Sequence, residues 1–532
     1  MKKPKIMIIG AGFAGVYTAR YLQKKLQNSA DIELINVNNY FVFQPLLPEV
    51  ASGTLSAQDA VASLRTIAKG VLIRQAEVIS IDKEKKSIKL LQGSRHTLID
   101  LSYDELILTS GVDANSSFIE GMDAHAMTIK NLSDAHQIRN HIIQCLEWAD
   151  VTISPETKKR LLTFVVAGGG FSGVETMGEI VEMLHRSLKF YPNITKEELR
   201  PIIVQRGPLL LPELHEKLGR YTHDRFAQRG IEVVLNQGVS KVTARQVTLE
   251  NGDEIQCKTL ISSIGNRPPE FIQSLNIPLV RNRIAVQQDL SVPNVKDIWA
   301  LGDIAAIPLD GPVDTAEKFA PPTAQFAVQE AKQCADNVVA KLEGKATQNF
   351  AYTPRGSLAS LGSYSGVGEL FGIRVSGLLG WMIWRGFYIL RIPGFTTKAR
   401  ITLNWVFDYL FPRSIVYMQQ KKTNSLREVH FSAGDIMFHK GQLLDALCIV
   451  KSGRCELRDG EGFTREFGVG EHFGERLIEH DHALTGEFVA LEDSVLIKLD
   501  RQSFSQLRET MPVLDEYFKG IDQNKYTPEM RD

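Results

Sequence analysis

Residues 5–15, KIMIIGAGFAG, and residues 161–175, LLTFVVAGGGFSGVE, carry the same message twice. Each is a short continuous apolar run, the pattern of a strand covered on both faces. Each run enters a turn of the form Gly-x-Gly-x-x-Gly, with Gly10, Gly12 and Gly15 in the first and Gly168, Gly170 and Gly173 in the second. The first glycine of such a turn makes a tight bend, the second lets a pyrophosphate approach the backbone, and the third lets helix pack on strand. The helix that follows offers N–H groups and a positive dipole end to phosphate. Helical stretches run to about Leu26 and through Leu188, and strands follow near Ile32–Val37 and over PIIVQ (201–205). Two such βαβ openings predict an α/β chain with two Rossmann-like dinucleotide-binding domains.

An acid usually ends the second strand of such a unit and hydrogen-bonds a ribose. Here IELIN (32–36) ends in Asn36, and PIIVQ ends in Gln205 followed by Arg206. Asn36 keeps the ability to bond a ribose hydroxyl, without the gain from charge. Gln205 removes the repulsion that a carboxylate would offer a 2′-phosphate. Arg206 then either attracts that phosphate, admitting NADPH beside NADH, or is merely solvated.

Across 532 residues, Lys and Arg number 61 and Asp and Glu 62, a balance unlike that of a nucleic-acid binder. Hydrophobic residues at 43% and charged ones at 23% suit a folded globular chain. The five cysteines, at 145, 257, 334, 448 and 455, include no CxxC, which argues against a disulfide scaffold and for a reducing compartment. The opening MKKPKIMIIGAGFAGVYTARYL mimics a signal peptide, but Gly10, Gly12, Gly15 and Arg20 interrupt its apolar run. No run of eighteen uncharged apolar residues would span a bilayer.

From Phe371 the texture changes. Three of the five tryptophans (Trp381, Trp384, Trp405) and six basic residues against the single acid Asp408 fall within 374–413. Two interfacial helices are expected there, Val375–Leu390 and Ile401–Phe411, resting on a lipid surface or forming an amphipathic dimer interface. From about 425, Gly434, Gly441, Gly453, Gly470 and Gly474 punctuate short β runs, as in a small β domain that ends in a helix.

Four further segments resemble the two-dinucleotide-binding-domain flavoproteins, and more closely the type II NADH dehydrogenases: FQPLLPEVASG (43–53), ALGDIA (300–305), AQFAVQ (324–329) and GSLASLG (356–362). The resemblance covers roughly residues 5–415. It implies that the first glycine motif, with Gly302 and Asp303, binds FAD and that the second binds NAD(P)H. Hydride would pass to the flavin and two electrons to a membrane quinone without proton pumping, the cofactor doing the chemistry. Glu175 is implied at the junction of flavin, nicotinamide and quinone, although a Glu there would also satisfy a helix dipole. Gln325 and Gln329 are implied at the quinone, or else are polar residues on an exposed helix face. Arg355 stands where relatives often have Lys.

The implied domains are 1–115 with 270–345 for FAD, 116–269 for NAD(P)H, 346–420 on the quinone and membrane side, and 421–532. The expected setting is peripheral, on the cytoplasmic face of the cell membrane, with quinone and lipid as partners, a homodimer as a further arrangement, and no nucleic acid or metal. Cysteines separate the relatives. A disulfide reductase needs a redox pair after the first motif, and a sulfide:quinone reductase needs cysteines beside the flavin; neither pattern is present, and all five thiols read as buried and inert.

The tail, FSAGDIMFHKGQ, CIVKSGRCEL and GVGEHFGE, resembles a cyclic-nucleotide-binding β-roll. By that resemblance Glu475 would meet the ribose, while the position of the phosphate-binding Arg is taken by Leu484, with Arg476 and His482 nearby. Two other functions fit the motifs: a redox or nucleotide sensor signalling through this tail, and a soluble flavin reductase of a protein acceptor.

Overall fold

The computed structural model describes residues 3–93, 97–114, 118–273, 275–354, 356–362, 364–392, 395–417, 426–440, 444, 446–459, 462–474, 484–500 and 504. They form two compact units, the first closing at Tyr417. Seven helices of the first unit position the site: α1 (Phe13–Leu26), α2 (Leu47–Ala51), α3 (Leu132–Val151), α4 (Phe171–Ser187), α5 (Ala324–Leu342), α6 (Gly377–Arg391) and α7 (Phe395–Leu410).

The apolar run at the start of the chain becomes the central strand Lys5–Ile9 of a seven-stranded sheet. It pairs in parallel with Asp31–Asn36 on one side and Glu105–Leu108 on the other, and Ile298–Ala300 extends that edge. The second run becomes Thr163–Ala167, central in a five-stranded parallel sheet between Arg200–Gln205 and Thr259–Ser262. Both central strands are buried on both faces, which is why their sequences read as unbroken apolar runs rather than alternating ones.

The two glycine turns are built alike. Gly10 N–H donates to Ile35 O and Gly168 N–H to Val204 O, each at 2.8 Å. A hydroxyl from the neighbouring strand end braces each bend: Thr109 Oγ1 donates to Ile9 O at 2.8 Å, and Ser263 Oγ to Ala167 O at 2.9 Å. Gly10 and Gly168 have φ of 99° and 108°, a left-handed conformation that favours glycine.

A three-stranded antiparallel sheet, Gly356–Gly362, Ser365–Leu370 and Ile373–Ser376, packs on α4 and leads into α6. The helix expected at Ile401 begins earlier, at Phe395, directly after the Pro393-Gly394 pair of the sequence. No helix among the described residues is long and apolar enough to cross a membrane.

The second unit is built on two four-stranded antiparallel sheets. Phe473 stacks on Phe488 at 4.1 Å, with Phe438 and Phe467 against them edge-on or tilted. Gly434, Gly453, Gly470 and Gly474 all have positive φ, as β-roll turns require. Gly441 lies outside the described residues, and of the segment expected to end in a helix after Asp500 only Phe504, which is helical, lies within them.

A Cβ added at Gly173 would lie 1.9 Å from Gly168 O, whereas at Gly170 the nearest atom is the side-chain Glu213 Oε1 at 3.4 Å. Gly173→Ala should therefore lower stability by about 1–3 kcal/mol, and Gly170→Ala by clearly less, as read by thermal unfolding. Equal losses would show that α4 can shift off its strand freely.

Candidate functional site

The first glycine turn combines tightness with one opening. A Cβ at Gly10 would sit 2.4 Å from Thr109 O and one at Gly15 would sit 1.9 Å from Gly10 O, yet one at Gly12 would meet nothing within 4 Å. The space in front of Gly12 is thus free of protein atoms, and α1, which Gly12 caps, has no side chain on its first N–H groups. That is the cradle a pyrophosphate needs. Gly170, Gly173 and α4 repeat it, again without a side-chain cap.

Asn36 and Gln205 share a task that strand-end reasoning did not reveal. Asn36 Oδ1 accepts the Ala11 N–H at 3.0 Å, and Gln205 Oε1 accepts the Gly169 N–H at 2.9 Å. Each amide thus ties the end of the second strand to the glycine turn of its own sheet. Asn36 Nδ2 also donates to Asn38 O at 2.8 Å. Arg206 is not a free cation, because its Nη2 lies 2.5 Å from Glu250 Oε1.

The Gly302-Asp303 turn leaves the strand Ile298–Ala300 and packs on the first turn of α1, where a Cβ on Gly302 would come within 3.0 Å of Ala14 Cβ. Asp303 therefore stands beside the first glycine loop. Burial raises its carboxyl, opposed by Lys130 and Arg283. Gly302 N–H donates to Glu330 Oε2 at 2.8 Å, and Glu330 is pushed up to about 8 by burial, with Asp303 adding to the rise. Glu330 went unremarked in the sequence, yet it lies on the buried stripe of α5 with Phe326, Ala327 and Ala331.

Gln325 and Gln329 sit one turn apart on α5, both half-buried. Gln325 Nε2 donates to Tyr352 OH at 2.5 Å, and the Tyr352 ring meets Phe326 edge-on at 5.1 Å. Arg355 lies outside the described residues.

Glu175, two residues past Gly173, heads a set of buried carboxyl groups. Its Oε1 accepts the Ser360 N–H at 3.0 Å and the Trp384 Nε1–H at 2.9 Å. Burial pushes it up to about 8, those two donors oppose the rise, and Glu49 and Glu179 add to it. Glu179, one turn along α4, accepts from Ser52 Oγ at 2.7 Å and Thr54 Oγ1 at 3.1 Å, with Arg413 Nη1 at 3.5 Å. Glu49, on α2, accepts the Trp405 Nε1–H at 2.7 Å. The segment 43–53, α4 and the α6–α7 pair thus meet at one charged cluster. Sequence reasoning named Glu175 and missed Glu49, Glu179, Arg385 and Arg413. The available signal was an acid inside the apolar run PLLPEVA and arginines beside tryptophans.

All five cysteines are buried and none is in a disulfide, and burial pushes the Cys145 thiol up to about 11 and the Cys257 and Cys455 thiols up to about 12. Among the described residues no cluster of His, Cys, Asp or Glu is suited to hold a metal ion.

Comparison with known proteins places this geometry. The family described as pyridine nucleotide-disulphide oxidoreductase matches residues 4–331, the NDH2 C-terminal domain residues 355–414, and the cyclic nucleotide-binding domain residues 428–511. The chain is 30% identical over 381 residues to a type II NADH:quinone oxidoreductase of Staphylococcus aureus, covering 70% of this chain and 92% of that protein. It is 28% identical over 430 residues to the type II NADH:quinone oxidoreductase Ndh of Mycobacterium tuberculosis, covering 77% and 89%. The fold is similar to that of NDH2 from Plasmodium falciparum in complex with NADH, with a TM-score of 0.72, 24% identity, and coverage of 78% of this chain and 100% of that one.

In the β-roll, Leu484 is 2% exposed and belongs to the apolar core with Met437, Leu444 and Phe473; Glu475, Arg476 and His482 lie outside the described residues. A buried cyclic phosphate without a paired cation loses hydration at a cost of several kcal/mol. Calorimetry on the full chain should accordingly show no micromolar binding of cyclic AMP or cyclic GMP. Micromolar binding would mean that another cation serves the phosphate.

Proposed function

The chain belongs to the type II NADH:quinone oxidoreductases, within the pyridine nucleotide-disulphide oxidoreductases, and from that premise we propose how its residues divide the work. It is an FAD-dependent NADH:quinone oxidoreductase that does not pump protons. The observation that carries the assignment of sites is the paired glycine cradles, one beside Asp303 and the other two residues before Glu175.

When bound, FAD supplies the two-electron relay between nicotinamide and quinone. Gly10, Gly12 and Gly15 take its pyrophosphate on the open N-terminus of α1, and Asn36 faces the adenosine ribose while holding the loop. Gly302 and Asp303 take the ribityl chain, steadied by Glu330 through the Gly302 N–H. Gly168, Gly170 and Gly173 take the NADH pyrophosphate on α4, with Gln205 at the ribose. The pairing of Arg206 with Glu250 supports NADH over NADPH, because the cation that a 2′-phosphate would seek is already neutralised. Glu175, buried and with its carboxyl raised, holds a proton near neutral pH at the quinone side. Gln325 and Gln329 orient the quinone carbonyls by hydrogen bonding.

The quinone is reached from a membrane surface. On α7 the usual amphipathic order is reversed: Trp405 and Asp408 turn inward, Asp408 onto Arg186 at 2.8 Å, while Leu403, Phe407 and Leu410 are 55–62% exposed. On α6, Leu378, Leu379 and Met382 are likewise 57–60% exposed. A helix pair that turns Trp384, Trp405 and Asp408 inward and a row of apolar side chains outward, with Arg400 exposed among them, suits a lipid interface. Five buried cysteines, none in a disulfide, support the cytoplasmic face. A second copy of the chain is the other occupant that such a face admits.

Purified protein should carry a flavin spectrum that NADH bleaches and a quinone restores; a flavin that NADH leaves oxidised would overturn the reading. Glu250→Gln should raise bleaching by NADPH relative to NADH about tenfold, the scale of one charge-assisted hydrogen bond. An unchanged ratio would show that Arg206 does not face the 2′-position.

Sedimentation with anionic liposomes should capture the chain, less so at high salt. Phe407→Glu should lose that capture while NADH still bleaches the flavin. Absence of liposome binding together with a dimer in sedimentation velocity would assign the face to a second copy.

A further inference from the structure

Glu49 has no part in the reading above, yet its setting is unusual. It is 2% exposed, and its Oε1 lies 3.8 Å from Arg385 Nη2, too far for a hydrogen bond. The Arg385 guanidinium is held between two indoles, 4.1 Å from the Trp381 ring centroid and 4.3 Å from that of Trp405, and its Nε is buried without a hydrogen-bond partner among the described residues. The ion pair is therefore loose, with Trp405 Nε1 at 2.7 Å the close donor to Glu49. Trp384, the residue before Arg385, donates to Glu175. Two consecutive residues of α6 thus face two buried carboxyl groups, one on α2 and one on α4, and α2 packs directly on α4.

We propose that Glu49 is the proton reserve of quinone reduction, a positioning residue that acts through Glu175. The inference rests on the placement of Glu175 at the quinone side. The overall reaction, NADH + H⁺ + quinone → NAD⁺ + quinol, takes both electrons and one hydrogen nucleus from the hydride, and the second proton must come from water. As the quinone O–H bond forms, the Glu175 O–H bond breaks; the proton of Glu49 then replaces the one lost, and Glu49 regains its own from water. NADH is the reductant and quinone the oxidant throughout.

The charged groups around Glu49 bear on its pH response. Glu175 and Glu179 face it from α4, Arg385 from α6 and Arg413 from the chain beyond α7, while on α3 the Arg139 guanidinium lies against Gly53, just past α2. Burial pushes Glu49 up to about 7, with Glu179 adding to the rise and Arg385, Trp405 and Arg413 opposing it. Glu175 therefore keeps most of its proton at neutrality and Glu49 is about half protonated there; both lose protons as pH rises, so quinone reduction should fail on the alkaline side.

The test measures kcat with quinone between about pH 6 and pH 9, alongside flavin bleaching by NADH without quinone, on the full chain. In Glu49→Gln the reserve and its raising effect on Glu175 are both gone, so the alkaline limb should move to lower pH, with kcat near pH 8 down about tenfold. Trp405→Phe keeps a ring over Arg385 but removes the N–H that favours the charged carboxylate, so its limb should move to higher pH. Bleaching by NADH should be unchanged in both. A limb that stays in place, limbs that move the same way, or bleaching slowed in step with kcat would overturn the proposal. Glu175→Gln with wild-type kcat would instead overturn the placement of Glu175 itself.

Discussion

Taking a carboxyl group out of water costs several kcal/mol unless hydrogen bonds or a cation meet it, and the catalytic unit buries three of them within a few helical turns. Glu175 is met by an amide and an indole, Glu179 by two hydroxyls and a guanidinium, and Glu49 by an indole with a distant guanidinium. Each donor set comes from outside the helix that bears the glutamate. The requirement that these donors reach the carboxyl groups dictates where α6, α7 and the strand Gly356–Gly362 must lie. Packing around the cluster follows from that demand, as does the raised affinity of Glu49 and Glu175 for protons.

The same demand explains the inverted character of α7. Its tryptophan and acid are drawn inward by Glu49, Arg186 and Arg413, at 2.7 Å for Trp405 to Glu49 and 2.8 Å for Arg413 Nε to Asp408. Arg400 and Asn404 add contacts to Asp59. With Trp405 and Asp408 engaged beneath, the helix presents Leu403, Val406, Phe407 and Leu410 outward, together with the exposed Arg400 and Thr402. Exposed apolar side chains and a donor to a buried carboxyl group are thus two faces of one helix.

The glycine cradles obey a different constraint, the close approach of backbone to backbone. Helix and strand meet at distances that no side chain survives, 1.9 Å for a hypothetical Cβ at both Gly15 and Gly173. Each loop is then locked by a side-chain amide in place of the usual acid, Asn36 in one and Gln205 in the other. That the same substitution and the same bond occur in both halves makes the amide a structural part of the loop as well as a candidate ribose contact.

Read alone, the amino-acid sequence determined what is local. Strand, glycine turn and helix are contiguous in each unit, Lys5 to Leu26 and Thr163 to Ser187, so backbone sterics and apolar periodicity suffice to recognise both cradles, and the glycines of the tail announce its turns in the same way. The positions of Gly302, Asp303, Gln325 and Gln329 came from short segments whose likeness to a family is visible one segment at a time. What only the tertiary structure decided is whatever needs two distant segments at once. Trp384 and Glu175 are 209 positions apart, Trp405 and Glu49 are 356 apart, and Arg206 meets Glu250 across 44. A glutamate in an apolar run, or an arginine after a strand, has many ordinary uses. Its charge state and partner depend on burial and on which donors arrive, and those are properties of the packed interior that no local stretch of sequence contains.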